Sequence, residues 1–184
     1  MRIADLPPST ASSPTATPHA RGALNPIVRT LEGLTAAYSR IPDALIQLLA
    51  RLSIAVTFWL SGQTKIEGLA LDPIGLTATF GWPRVSDGAI ELFRSEYALP
   101  LLPPELAAVL AATAEHVFPL LLLVGLATRL SATALLVMTL VIQIFVYPNA
   151  YPTHALWAAL MLYLMAKGPG ALSIDRLIAR RVRG

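Results

Sequence analysis

Four long apolar blocks dominate this chain and leave few folds open to it. They run from about Asp43 to Gly62, Pro104 to Leu126, Leu130 to Tyr147 and Thr153 to Lys167. A helix needs about 20 residues, rising 1.5 Å each, to cross the ~30 Å hydrocarbon core of a bilayer. The first three blocks are long enough. The fourth is short, and crossing requires a thin local bilayer and a Lys167 stem that extends to the headgroups. Of the 184 residues, 55% are hydrophobic and 14% charged, against about 25% charged in a soluble domain. The mean hydropathy of +0.61 agrees. The predicted fold class is therefore all-α: an integral membrane four-helix bundle with an outer loop subdomain and short interfacial amphipathic helices.

The remaining segments fall around these spans. Residues 1–26 are rich in Pro, Ser, Thr and Ala and read as a disordered tail, because they cannot bury enough apolar surface to order themselves. They lack the apolar core of a signal peptide. In 27–41, Ile27, Val28, Leu31, Leu34 and Ile41 recur at helical spacing with Arg29, Glu32 and Arg40 between them, which predicts an interfacial helix. The membrane domain is expected over 42–170, with an outer loop at 63–103. In that loop Ser86 or Asp87 can cap a helix to about Tyr97 that puts Ile90, Phe93 and Tyr97 on one face. Gly168-Pro169-Gly170 stops the fourth span. Residues 171–184 form a basic interfacial tail, in which Ser173 caps a helix with Ile174, Leu177 and Ile178 opposite Arg176, Arg180, Arg181 and Arg183.

Lys and Arg set the orientation. Arg2, Arg21, Arg29 and Arg40 precede the first span, Arg129 lies between the second and third, and Lys167 with four arginines follows the fourth. The loops on the other side hold only Lys65, Arg84 and Arg94. The expectation is a multi-pass inner (plasma) membrane protein with both termini cytoplasmic. Phe58, Trp59, Phe145, Tyr147, Tyr151 and Trp157 then gather as an outer aromatic belt. The same reasoning assigns the pI near 9.6 to membrane orientation rather than to nucleic acid. No internal repeat supports an inverted-repeat transporter.

Candidate chemistry centres on charges inside spans, which are costly there and normally face a partner. Arg51 and Glu115 lie about 14 Å and 16 Å from the inner ends of consecutive antiparallel spans, so the sequence predicts that they meet at mid-membrane. Gln47, one turn from Arg51, and His116, beside Glu115 but about 100° round the helix, complete a candidate polar centre. Pro119 removes the normal helical donor to the Glu115 carbonyl. Lys65, Gln143 and His154 are candidates for an outer cavity. The chain has no cysteine, which excludes thiol chemistry and cysteine-ligated metals within it. No metal site is expected, and no phosphate loop, dinucleotide fingerprint, HExxH or nucleophile elbow is present.

Arg51 with Phe58, Gly62 and Lys65, then Glu115, then Gly125-Leu126-Ala127-Thr128-Arg129, and finally Gly168-Pro169-Gly170 with Ser173-Ile174-Asp175, together resemble the DoxX family in order and spacing over about residues 43–178. The resemblance implies a small four-helix membrane protein. Some members are named for a subunit of thiosulfate:quinone oxidoreductase, and others resemble membrane partners of redox or detoxification systems. The leading expectation is a non-catalytic membrane subunit or partner of a redox or stress-response system, carrying no cofactor within the chain. It implies contacts with the lipid bilayer and with a membrane or periplasmic protein. The alternatives are a quinone-linked oxidoreductase subunit and a small-molecule or proton-coupled transporter. A cavity reaching Glu115 from the lipid side favours quinone, one from the outer aqueous face favours transport, and a dry closed pair favours a structural role.

Overall fold

The computed structural model describes residues 26–184. The tail expected at 1–26 therefore lies, apart from Pro26, outside the described residues. The chain divides into two units at Arg40. The described part of the first is helix α1 (Pro26–Tyr38), along which Val28, Leu31, Leu34 and Tyr38 expose apolar side chains.

The second unit is built on α2 (Asp43–Gln63), α4 (Pro104–Val124), α5 (Thr128–Val141, continued by a π-helical turn Ile142–Val146) and α6 (Tyr151–Lys167). Among the described residues, three helices are long and apolar enough to cross a membrane: Asp43–Gln63, Pro104–Val124 and Thr128–Val146. At 17 residues, α6 spans about 26 Å, short of a full hydrocarbon core. The helices begin and end within a few residues of the apolar blocks read from the sequence. Helix α2 packs on α4 and α6, and α5 packs on α4 and α6. Ile54, Phe58, Leu122, Leu135, Met161 and Leu164 fill the space between them. Phe58 is thus a core residue packed against Trp157, with ring centroids 5.4 Å apart and the rings tilted by 58°, and does not belong to the aromatic belt expected of it. Its neighbour Trp59 takes the surface position and donates its indole N–H to the Leu71 carbonyl at 2.8 Å.

The loop between α2 and α4 departs from the all-α expectation. Two small antiparallel ladders are nested in it, β1 (Ile66–Glu67) with β4 (Arg84–Val85) and β2 (Ala70–Asp72) with β3 (Thr77–Thr79). Segments of two or three residues carry too little alternation to be read as strands. Helix α3 (Asp87–Leu92) then runs into a π-helical turn, Phe93–Tyr97. The Ser86 hydroxyl caps it by accepting the Ala89 N–H at 3.1 Å. Phe93 is buried on Ala107 and Ala108 of α4, with Ile90 and Tyr97 beside it, so this segment is a lid on that end of the helices.

The opposite end is closed by the chain's own tail. Helix α7 (Ile174–Arg183) is capped by Ser173 Oγ, which accepts the Arg176 N–H at 3.3 Å. The Asp175 carboxylate caps α5 from 47 residues away: Oδ1 accepts the Ala127 N–H at 2.8 Å and Oδ2 the Thr128 N–H at 3.0 Å. In return Asp175 N donates to the Gly125 carbonyl at 2.9 Å. A helix start has unpaired N–H groups and a partial positive charge, and this carboxylate answers both.

Candidate functional site

The register of α2 against α4 decides which charges meet. Ser61 faces Glu115, and Arg51 lies against Gly125. Ten residues separate each pair on its helix, or about 15 Å. The two helices are therefore displaced lengthwise, and α2 runs on past the end of α4. The predicted Arg51–Glu115 pair does not form. Measuring depth from each helix end assumed that the ends were level, and they are not.

Glu115 pairs instead with Lys65. The Lys65 Nζ lies 2.7 Å from Glu115 Oε2, with both side chains nearly inaccessible. Lys65 also donates to the Ser61 carbonyl and hydroxyl, each at 3.1 Å, and the Ser61 hydroxyl donates to Glu115 Oε1 at 3.0 Å. Ser61 and Lys65 are four residues apart, so α2 and the turn after it present both to the same carboxylate. The Lys65–Oε2 contact is held by charge but lies outside hydrogen-bond angles, which leaves this buried oxygen without an aligned donor. Such an atom is uncommon in a folded interior.

Lys65, Glu115 and Ser61 form the polar end of a cavity of about 420 Å³, within the roughly 300–1,000 Å³ usual for small-molecule sites. Phe58, Trp157 and Met138 make apolar walls, and Phe93, Tyr97 and Leu102 roof it. Leu110 of α4 and Val137 of α5 also border it and are themselves 50% and 55% exposed. These two residues give the cavity an exposed side between α4 and α5, on surface that hydrocarbon would cover, while Leu102 and Tyr147 on its roof side are 39% and 40% exposed. His154 lines it as well. Its Nδ1 lies 2.6 Å from Gln143 Oε1, while Gln143 Nε2 donates to the Pro148 carbonyl at 2.7 Å. That orientation makes the amide oxygen an acceptor, so Nδ1 carries the proton and Nε2 is left as an acceptor. The roof is latched by Tyr147, whose hydroxyl donates to Glu96 at 2.6 Å. This hydrogen bond raises the phenol's pKa above its ordinary value, with smaller contributions from Tyr97 and burial, so the donor stays protonated at neutral pH.

The other predicted site residues lie elsewhere. The His116 Nδ1 is 2.6 Å from the Ala112 carbonyl, which only accepts; Nε2 therefore accepts from Gln63 Nε2 at 2.8 Å. Gln63 Oε1 in turn accepts the Leu71 N–H at 2.6 Å, and the Trp59 ring stands edge-on to the imidazole. His116 rivets α4 to the end of α2 and to β2, away from the cavity. Arg51, 1% exposed, donates through Nη2 to the Leu172 carbonyl at 2.5 Å. Its Nε and Nη1 have no hydrogen-bond partner among the described residues. Gln47 lies one turn along, its Nε2 3.5 Å from the Lys167 carbonyl. The expected polar centre is thus three separate places, and Lys65, placed in the outer cavity by the sequence, joins Glu115 there. Ser61 was missed; its signal was the four-residue spacing from Lys65.

The motif residues hold the two ends of one helix assembly together, and comparison with known families bears on this arrangement. The DoxX family profile matches residues 46–148, more than half of the chain. The chain belongs to the DoxX family. Within that match the DoxX residues Gly62, Lys65 and Glu115 meet at the cavity end, and Arg51 meets Gly125 at the other. The closing DoxX-like residues, Gly168 to Asp175, lie beyond the match, yet Asp175 caps the α5 of this DoxX protein. No curated protein and no solved structure matched the chain.

Proposed function

We propose that this protein is a multi-pass inner-membrane subunit of a redox-associated assembly, and that it holds a lipid-soluble carbonyl compound of the quinone class between Lys65–Glu115 and His154. The observation that carries the reading is the shape of the cavity: apolar walls, a lateral mouth at Leu110 and Val137, and a buried charged pair at its end. A carbonyl oxygen suits the Lys65 ammonium, and a ring hydroxyl suits Glu115 Oε2 and the His154 acceptor. When bound, a quinone supplies electron-carrying chemistry that this cysteine-free chain does not. The protein's own residues would fix the ring's position, exclude water and offer Glu115 as a proton acceptor. A lateral mouth favours this over transport, which needs a water-facing path.

The test uses purified protein in nanodiscs titrated with a short-chain ubiquinone or menaquinone analogue. Binding above the lipid background is expected. It should weaken at least tenfold in Glu115→Gln, which keeps the shape but removes the charge, and in Val137→Trp, which narrows the mouth. Wild-type protein that binds no more analogue than empty nanodiscs would sink the reading.

In this reading α6 completes a fourth span despite its length, and both termini are cytoplasmic. Arg129 at the start of α5 and Lys167 at the end of α6 support it. A periplasm-active phosphatase fused after Gly184 should be silent, and a cytoplasm-active reporter there should work. An active phosphatase fusion would put the C-terminus outside and overturn this reading, through either a reversed orientation or the loss of the fourth crossing.

A further inference from the structure

At the end of the helices away from the Lys65–Glu115 cavity lies a second, open cleft of about 1060 Å³. It is walled by the starts of α2 and α5, the end of α6 and the exposed side of α7. Four cations border it: Arg129, Lys167, Arg176 and Arg180. Two side-chain carboxylates border it too, Asp43 and the Asp175 that accepts the Ala127 and Thr128 N–H groups, so the four cations outnumber the acidic side chains two to one. Thr128 also borders the cleft. It is fully buried, and its Oγ1 has no hydrogen-bond partner among the described residues.

We infer that this cleft binds the phosphate of an anionic phospholipid. The cations suit a phosphodiester, since several Arg and Lys donors converge on one concave place, and the Thr128 hydroxyl has a lone hydrogen bond to give. The apolar surroundings choose a lipid over a free anion. Leu130 lines the cleft and is itself largely exposed. A phosphate that enters with its acyl chains covers both the charge and this surface, whereas inorganic phosphate covers only the charge. Because α7 is tied to α5 through Asp175, the bound headgroup would clamp the tail to the membrane domain.

The experiment follows thermal unfolding of the full chain in zwitterionic detergent during titration with phosphatidylglycerol, phosphatidylcholine or inorganic phosphate. Phosphatidylglycerol is expected to stabilise with an apparent affinity at least tenfold tighter than either other addition. Arg129→Gln/Arg176→Gln should erase that preference, and the single exposed change Arg180→Gln should weaken it, each without altering the unfolding temperature in lipid-free detergent. Arg181→Gln, on the same helix but outside the cleft, should keep it. Equal responses to the two lipids, or an Arg181→Gln loss as large as that of Arg180→Gln, would overturn the inference. An inorganic phosphate response matching phosphatidylglycerol would assign the cleft to a soluble anion and overturn the lipid assignment.

Discussion

Lys65→Met is expected to destabilise the protein by about 3–5 kcal/mol, the usual cost of removing one member of a buried ion pair and leaving the other uncompensated. Lys65 is 5% exposed and Glu115 2%, so water cannot take the place of the lost ammonium. The Ser61 hydroxyl still donates to Oε1, but Oε2 would have neither a charge nor an aligned donor beside it. The double variant Lys65→Met/Glu115→Leu should recover most of the loss, because apolar replacement of a whole buried pair is often tolerated. Thermal unfolding in detergent measures all three proteins. A Lys65→Met protein as stable as wild type, or a double variant no better than the single, would show that the pair is not an interacting unit. Analogue binding should be lost in both. By contrast, Arg51→Met and Glu115→Gln should add within about 0.5 kcal/mol, since sites more than 7–10 Å apart with no shared partner rarely couple.

The second large effect is expected at Gly125. This residue ends α4 at φ +69°, with the Leu126 N–H returning to the Leu121 carbonyl at 2.9 Å, the six-to-one closure of a glycine-terminated helix. A side chain there meets two penalties. The left-handed conformation is strained for a β-branched residue, at about 1–3 kcal/mol. A Cβ would also run into the Arg51 guanidinium and into Ser173, and overpacking typically costs about 1–3 kcal/mol. Arg51 has nowhere to retreat, because it is buried and bonded to Leu172. Gly125→Val should therefore lose several kcal/mol and loosen α7, read as faster proteolysis after Arg176 or Arg180. Gly88→Ala, where a Cβ meets nothing within 4 Å, should be neutral or slightly stabilising. Unchanged stability and protease resistance in Gly125→Val would mean that this end is not tightly closed.

Much of the architecture was legible because its signals are local. Apolar runs of about 20 residues marked α2, α4 and α5; Ser86 and Ser173 marked two helix starts by short-range capping; and Gly168 marked the end of α6. The face of Ile90, Phe93 and Tyr97 followed from helical spacing. The family was legible too, since its residues recur in order along the chain. The strands within 66–85 were not, being too short to show a period.

The site was legible only as a set of residue types. The chain by itself determined that a lysine, a glutamate and an arginine had to find partners within or beside apolar spans, since charge is expensive there. It also determined that a helix stops at Gly168 and another starts after Ser173, but not that the Asp175 carboxylate would cap the start of α5. Which charges met was decided by the lengthwise offset of α2 against α4. Gly62 sets that offset in part: it lets the helices approach so closely that a Cβ would lie 2.7 Å from the His116 ring. A shift of about 5.4 Å, the pitch of one turn, would move Glu115 a full turn along α2 relative to Ser61. No periodicity within either helix encodes such a shift, because sliding one apolar helix along another leaves each sequence pattern intact. Only the packed tertiary structure, with its glycine contact and its two sealed ends, fixes the register that gave Glu115 to Lys65 and sent Arg51 to the chain's tail.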